Sequence, residues 1–114
     1  MDKTSDKVIV FGSEYVGSGD ETLGFAILMN LLETLAKRED RPKAMIFWNM
    51  AVKLLAEGSP AVPRLKALEE KGIKILAGKL CVQDLRLTDS IAVGNIATMD
   101  EILDFVLHNE VISL

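Results

Sequence analysis

Cysteine, histidine and aromatic residues are scarce in this sequence of 114 residues, which holds one Cys, one His and only 5% aromatics. A single cysteine excludes an internal disulfide and fits a reducing compartment. Cys81 and His108 lie far apart in the sequence, so they form no metal-ligand cluster and no catalytic dyad or triad. We therefore expect no metal and no other cofactor, and we assign His108 to interaction with helix carbonyls at the end of the last helix.

An excess of positive charge is also absent. Thirteen Lys and Arg stand against seventeen Asp and Glu, a net charge of −4, whereas a nucleic-acid binder presents a basic face. The longest apolar stretch is interrupted by Asn30 and Glu33 and falls short of the ~20 residues of a membrane span. Residues 1–7 are polar and do not form a signal peptide. We expect a cytoplasmic protein that binds neither nucleic acid nor membrane.

The residues that are present, 49% of them apolar, suit one domain over residues 1–114 with a flexible N-terminus at 1–6. Short apolar runs predict strands at residues 8–11, 43–48, 73–77, 91–93 and 111–113. Helical spacing and caps predict helices at residues 21–37, 50–57, 61–71, 81–85 and 98–108. This alternation predicts a three-layer α/β/α domain with a mostly parallel sheet. In such sheets ligands bind beyond the carboxyl ends of the strands, in the loops at residues 12–20, 49–58, 78–84 and 94–98.

The first predicted helix has a wider apolar stripe than one sheet requires. It therefore needs a second apolar neighbour. An adjacent helix of the same subunit and the same helix of another subunit both satisfy this requirement.

Cys81 is the candidate nucleophile. It follows the third predicted strand at the start of a short helix, with Lys79 two residues before it. A helix N-terminus and a nearby cation both stabilise a thiolate, which is the form that attacks a sulfane sulfur. The alternative is a buried cysteine that fills space beside Leu80 and Val82. The position alone leaves both interpretations open.

The loop before the first helix contains Gly17, Gly19 and Asp20, an arrangement superficially similar to a phosphate-binding loop. No Lys-Ser or Lys-Thr pair follows it, and a third glycine at dinucleotide spacing is missing. Asp20 and Glu21 would repel a phosphate. A flexible turn with Asp20 as the helix N-cap explains the residues better than a nucleotide site does.

Several ordered motifs carry a family resemblance: Gly17-Ser18-Gly19-Asp20 with Leu23-Gly24, Phe47-Trp48-Asn49 with Val52-Lys53-Leu54, Glu57-Gly58-Ser59, Leu68-Glu69-Glu70-Lys71-Gly72-Ile73, Cys81, Ala92-Val93-Gly94 and Val111-Ile112. Through them the sequence resembles the DsrE-like sulfur-relay family over residues 8–112. Within that family it is most similar to the C-terminal domain of YedF-type selenium-metabolism proteins. The resemblance implies a parallel five-stranded sheet between helices and a homo-oligomer of two, three or six subunits. It also implies transfer of sulfur between proteins as a cysteine persulfide.

For this chain the resemblance implies a sulfurtransferase-like carrier in which Cys81 accepts sulfane sulfur and passes it to a partner protein. Lys79 and loop amides would stabilise the thiolate, and Gly78 would give access to it. The TusA-like domain of YedF-type proteins is not in this sequence, so we expect a separate TusA-like partner. Relatives often carry a further cysteine at the strand end, where this chain has Gly78.

A different class of function also fits the residues. In this alternative the protein is a non-catalytic oligomeric module that binds a small ligand or a protein, and Cys81 is structural. The candidate binding residues lie in the strand-end loops: Ser13, Tyr15, Gly17, Gly19, Asp20 and Asn49. Reactivity of the Cys81 thiol would discriminate the two functions.

Overall fold

The computed structural model describes residues 4–114, which fold into alternating strands and helices. The strands are β1 (Lys7–Phe11), β2 (Ala44–Phe47), β3 (Lys74–Gly78), β4 (Asn95–Ala97) and β5 (Glu110–Ser113). The α-helices are α1 (Glu21–Lys37), α2 (Ala61–Glu70), α3 (Lys79–Asp84) and α4 (Met99–His108), and a 3-10 helix covers Asn49–Leu55. Four of the five predicted strands and all the predicted helices are therefore confirmed, with bounds that differ by a few residues.

The described strands form one five-stranded sheet in the order β4-β3-β2-β1-β5, and every neighbouring pair is parallel. The register places Phe11 of β1 beside Phe47 of β2, and Phe47 beside Ala77 of β3. The predicted three-layer α/β/α class with a mostly parallel sheet is confirmed. Because parallel strands all end at one edge, the loops after β1, β2, β3 and β4 meet there.

The first face of the sheet packs against α1, α2 and the 3-10 helix. Alternate strand residues project into this layer, and the Phe11 and Phe47 rings stack there with centroids 4.7 Å apart. Leu28 and Leu32 of α1 are fully buried against them. This layer holds the larger of two hydrophobic clusters and carries most of the apolar burial of the fold.

The second face of the sheet is covered by α4. Val8, Val10, Ala44 and Ile46 of the strands form a smaller buried cluster with residues that include Ile102 of α4. The helix begins at a capping box in which the Thr98 hydroxyl accepts from the Glu101 amide and the Glu101 carboxylate accepts from the Thr98 amide. The box therefore fixes where α4 starts over the strand ends.

The fourth predicted strand, at residues 91–93, is wrong. The Ala92 amide donates to Leu55 O and the Glu57 amide donates to Ser90 O, so this segment pairs with the end of the 3-10 helix. Gly94 then leads the chain into β4, alongside β3. It has a φ of +81°, and a Cβ at this position would lie 2.8 Å from Ile75 O in β3. Only glycine fits such a close approach, and the strand begins after it. Apolar periodicity marked the segment as buried without identifying its partner.

Besides the sheet, the wide apolar stripe of α1 packs against α2. Arg64 of α2 forms an ion pair with Glu33 of α1, with Nε 2.8 Å from Oε1. Leu23 and Ile27 nevertheless remain 59% and 42% exposed. The adjacent helix of the same chain therefore explains part of the stripe and leaves these two side chains uncovered.

The first described residues join the sheet region, since Thr4 makes an isolated bridge with Arg41. Residues 1–3 of the segment expected to be flexible lie outside the described residues. No helix in residues 4–114 is long and apolar enough to cross a bilayer.

Candidate functional site

A cavity of about 490 Å³ opens at the edge where the strands end. Residues that follow β1, β2, β3 and β4 all contribute to its wall, as expected for a ligand site in a parallel sheet. Its apolar lining consists of Trp48, Met50, Leu80, Leu85, Met99 and Ile102. Its polar lining consists of Asn49, Lys79, Cys81 and Asp84, and the remaining residues are Gly12 and Gly78.

Cys81 lies in the wall of this cavity and is half-buried. The backbone amide of Asn49 donates to its Sγ across 3.0 Å. Asn49 has a φ of +53°, a left-handed conformation that asparagine tolerates better than most residues. The unusual backbone at the start of the 3-10 helix therefore holds an amide donor against the sulfur.

Gly78 and Gly12 keep space around the sulfur and around Trp48. A Cβ at Gly78 would lie 3.4 Å from the Trp48 Cβ and 3.7 Å from the Cys81 Sγ. A Cβ at Gly12 would lie 3.8 Å from the Trp48 Nε1. A longer side chain at position 78 would therefore project between the indole and the thiol.

Lys79 lies on the cavity wall and is exposed at the first turn of α3. The pKa of Glu101 is lowered chiefly by hydrogen bonds from the Thr98 amide and hydroxyl, and to a smaller extent by the charge of Lys79. The charge of Lys79 therefore acts on the start of α4.

The candidate residues of the first loop lie away from the cavity and serve the backbone. The Ser13 hydroxyl donates to Tyr15 O at 2.7 Å, and Asp20 caps α1 by accepting from the Leu23 amide at 2.9 Å. Gly17 and Gly19 take positive φ values of +82° and +109° in the bend that precedes Asp20. A role for these residues in ligand binding stays a prediction.

A second cavity of about 410 Å³ lies beside that loop and is lined by Glu14, Tyr15, Glu21, Thr22 and Phe25. The pKa of the Tyr15 hydroxyl is raised by the charge of Glu21, then by desolvation and by Glu14. This concentration of negative charge disfavours an anionic ligand.

His108 contacts its own helix, and the acidic residues form no metal cluster in the described chain. The His108 ring Nδ1 is 2.7 Å from Asp104 O, at the end of α4, which agrees with its assignment to helix carbonyls. Within residues 4–114, no group of three or more His, Cys, Asp or Glu side chains is arranged to hold a metal ion.

Sequence reasoning identified Cys81, Lys79, Gly78 and Asn49, and the structure brings all four to one cavity. It missed Met99 and Ile102 of α4, which also line the cavity. The signal was present, because the capping box at Thr98 places the first turn of α4 directly after a strand end. The misplaced fourth strand hid that relation.

No protein-family model matches the sequence, and no curated protein matches it significantly. Solved structures do match the fold. The ychN protein from E. coli is 17% identical with a TM-score of 0.67, and the match covers 100% of each chain. The chain has the fold of ychN.

Two further solved structures share the fold. A protein of unknown function from Methanobacterium thermoautotrophicum is 15% identical with a TM-score of 0.68, and the match covers 95% of this chain and 97% of that one. A conserved protein of unknown function from Bacteroides thetaiotaomicron is 18% identical with a TM-score of 0.68, covering 96% and 95%. At these identities the likeness establishes the shared fold alone.

Proposed function

We propose that this protein is a cytoplasmic sulfur carrier in which Cys81 accepts sulfane sulfur as a persulfide and passes it to a partner protein. The observation that carries the proposal is the position of the Cys81 Sγ in the cavity wall, 3.0 Å from the Asn49 amide. The similarity of the fold to ychN supports a role in sulfur relay only at the level of the family.

The Asn49 amide, 3.0 Å from the Cys81 Sγ, is placed to donate a hydrogen bond to the attacking sulfur. In the first step the Cys81 thiolate attacks the outer sulfur of a donor persulfide R–S–SH. The donor S–S bond breaks, R–S⁻ leaves, and Cys81–S–SH forms. In the second step a partner thiolate attacks that outer sulfur and releases the Cys81 thiolate. No external oxidant or reductant is needed.

Mass spectrometry of the protein after incubation with a persulfide donor tests this function. We expect an added mass of about 32 Da, one sulfur atom, on the peptide that contains Cys81. Cys81→Ser is the matched control and should acquire no sulfur. An unmodified Cys81 peptide, or equal loading of the Cys81→Ser variant, would refute the proposal.

A small-ligand binding module with a structural cysteine is the second candidate. The observation in its favour is that Cys81 packs against the larger hydrophobic cluster and is half-buried. Under this function iodoacetamide should leave Cys81 unmodified at neutral pH. Modification at the rate of an accessible thiol would exclude it.

We also propose that the protein forms a homo-oligomer through α1, because the apolar side chains of Leu23 and Ile27 on this helix remain exposed. Sedimentation analysis of Ile27→Glu tests this contact. We expect the variant to have a lower mass than the unchanged protein. Leu107→Glu is the control, because Leu107 is 72% exposed but lies on α4. A monomeric unchanged protein would contradict the proposal.

A further inference from the structure

The walls around Cys81 are mainly apolar. Trp48, Met50 and Met99 converge on the cavity, and Met50 and Met99 are 39% and 54% exposed although they are large hydrophobic side chains. The volume of about 490 Å³ falls in the range of about 300–1,000 Å³ that is typical of small-molecule sites. Thioether and indole groups pack well against aromatic or alkyl surfaces.

The charges on the wall give no net attraction for an anion. Among the described lining side chains, Lys79 supplies one cation and Asp84 supplies one carboxylate. The charge of Lys79 also acts on Glu101, at the start of α4. An inorganic polysulfide ion therefore gains little electrostatic attraction from this site. An uncharged ligand body has only a small desolvation cost on entering it.

We propose that the cavity binds a small organic persulfide with an uncharged, mainly apolar body, of the aryl or arylalkyl type. This inference rests on the proposed function and names its donor class. The apolar body packs against Trp48, Met50 and Met99, and the outer sulfur meets the Cys81 Sγ. The Cys81 thiolate forms a bond to the outer sulfur, which keeps its proton. The donor S–S bond breaks, and the organic thiolate leaves.

Alkylation rates of Cys81 in the full-length protein test the apolar preference without requiring sulfur transfer. The probes are N-phenyl-iodoacetamide, iodoacetamide and iodoacetate, and each rate is divided by that of a free small-molecule thiol. We expect the normalised alkylation rate of the phenyl probe to be about tenfold higher than that of iodoacetamide, which corresponds to about 1.4 kcal/mol. The normalised rate of iodoacetate should not exceed that of iodoacetamide. Equal normalised rates for the phenyl probe and iodoacetamide would overturn the inference.

Met99→Gln and Leu107→Gln form a matched pair for this measurement. Both residues are exposed on α4, by 54% and 72%, but only Met99 lines the cavity. We expect Met99→Gln to lower the preference for the phenyl probe severalfold and Leu107→Gln to leave it unchanged. The same change in both variants would show that the preference does not arise in the cavity and would overturn the inference.

Sulfur loading from benzyl persulfide and from inorganic polysulfide separates this inference from the proposed function. Faster loading of Cys81 from benzyl persulfide supports both. Equal loading from the two donors overturns the donor class and leaves the carrier function standing. Absence of loading from either donor, with the phenyl preference intact, overturns the carrier function and with it the assignment of the ligand as a persulfide.

Discussion

The two faces of the sheet differ in the number of helices that cover them. Two α-helices and the 3-10 helix bury the first face, where the Phe11 and Phe47 rings stack. The second face packs against α4, a helix of ten residues. A helix with its side chains is about 10 Å wide, whereas five strands span about 19 Å. Strand residues of this face such as Val8, Val10 and Ile46 are nevertheless buried, so α4 with its long side chains covers the central strands.

This difference places the candidate site. The cavity lies at the carboxyl edge, between the first turn of α4 and the residues that follow β2 and β3. Cys81 packs toward the first face, while Trp48 packs toward the second. The first face thus supplies a fixed position for the thiol, and the side with the single helix α4 leaves room for a ligand beyond the strand ends.

Two phenylalanines provide the most direct test of this contrast. Phe47 is fully buried on the first face, whereas Phe105 of α4 is partly buried on the second. We expect Phe47→Ala to lower the free energy of unfolding by about 3–5 kcal/mol and leave a cavity beside Phe11. Phe105→Ala should cost only about 1–2 kcal/mol because less of its surface is buried. Urea denaturation measures both, and equal losses would show that the faces are packed alike.

Asn49 tests whether the backbone at the cavity holds the sulfur. Asn49→Val places a β-branched residue at a positive φ, so we expect a loss of about 1–3 kcal/mol in stability and slower alkylation of Cys81. Asn49→Gly is the control, because glycine adopts this φ and keeps the amide in place. Urea denaturation and iodoacetamide kinetics measure the two effects. Alkylation of the valine variant at the unchanged rate would show that the amide has no role.

Local sequence signals predicted the elements well. Asp20 caps α1 and Thr98 with Glu101 starts α4, as their spacing indicated, because caps depend on neighbours within one turn. The fourth strand was misplaced because its position depends on the close approach of Gly94 to Ile75, a contact between distant residues. The same limit applies to the site. Sequence position identified Cys81, but the Asn49 donor and the Met99 wall depend on tertiary packing.

The smallest predicted effect concerns pH and the start of α4. Hydrogen bonds from the Thr98 amide and hydroxyl lower the pKa of Glu101 below its ordinary value of 4.5. Its stabilising contribution is therefore present above pH 4.5 and is lost as the pH falls through the lowered pKa. Glu101→Gln removes this titration but retains an oxygen acceptor for the Thr98 amide.

The expected result is a stability difference between the unchanged protein and Glu101→Gln that shrinks from about pH 7 to about pH 3. Urea denaturation at the two pH values measures it. Thr98→Ala sharpens the assignment, because it removes the hydroxyl donor and should reduce the same pH dependence. It should also cost about 1 kcal/mol near neutral pH through the lost cap. A difference that is constant with pH would mean that the carboxylate charge does not stabilise α4. The packing of α4 on the second face would then depend on apolar contacts such as that of Ile102.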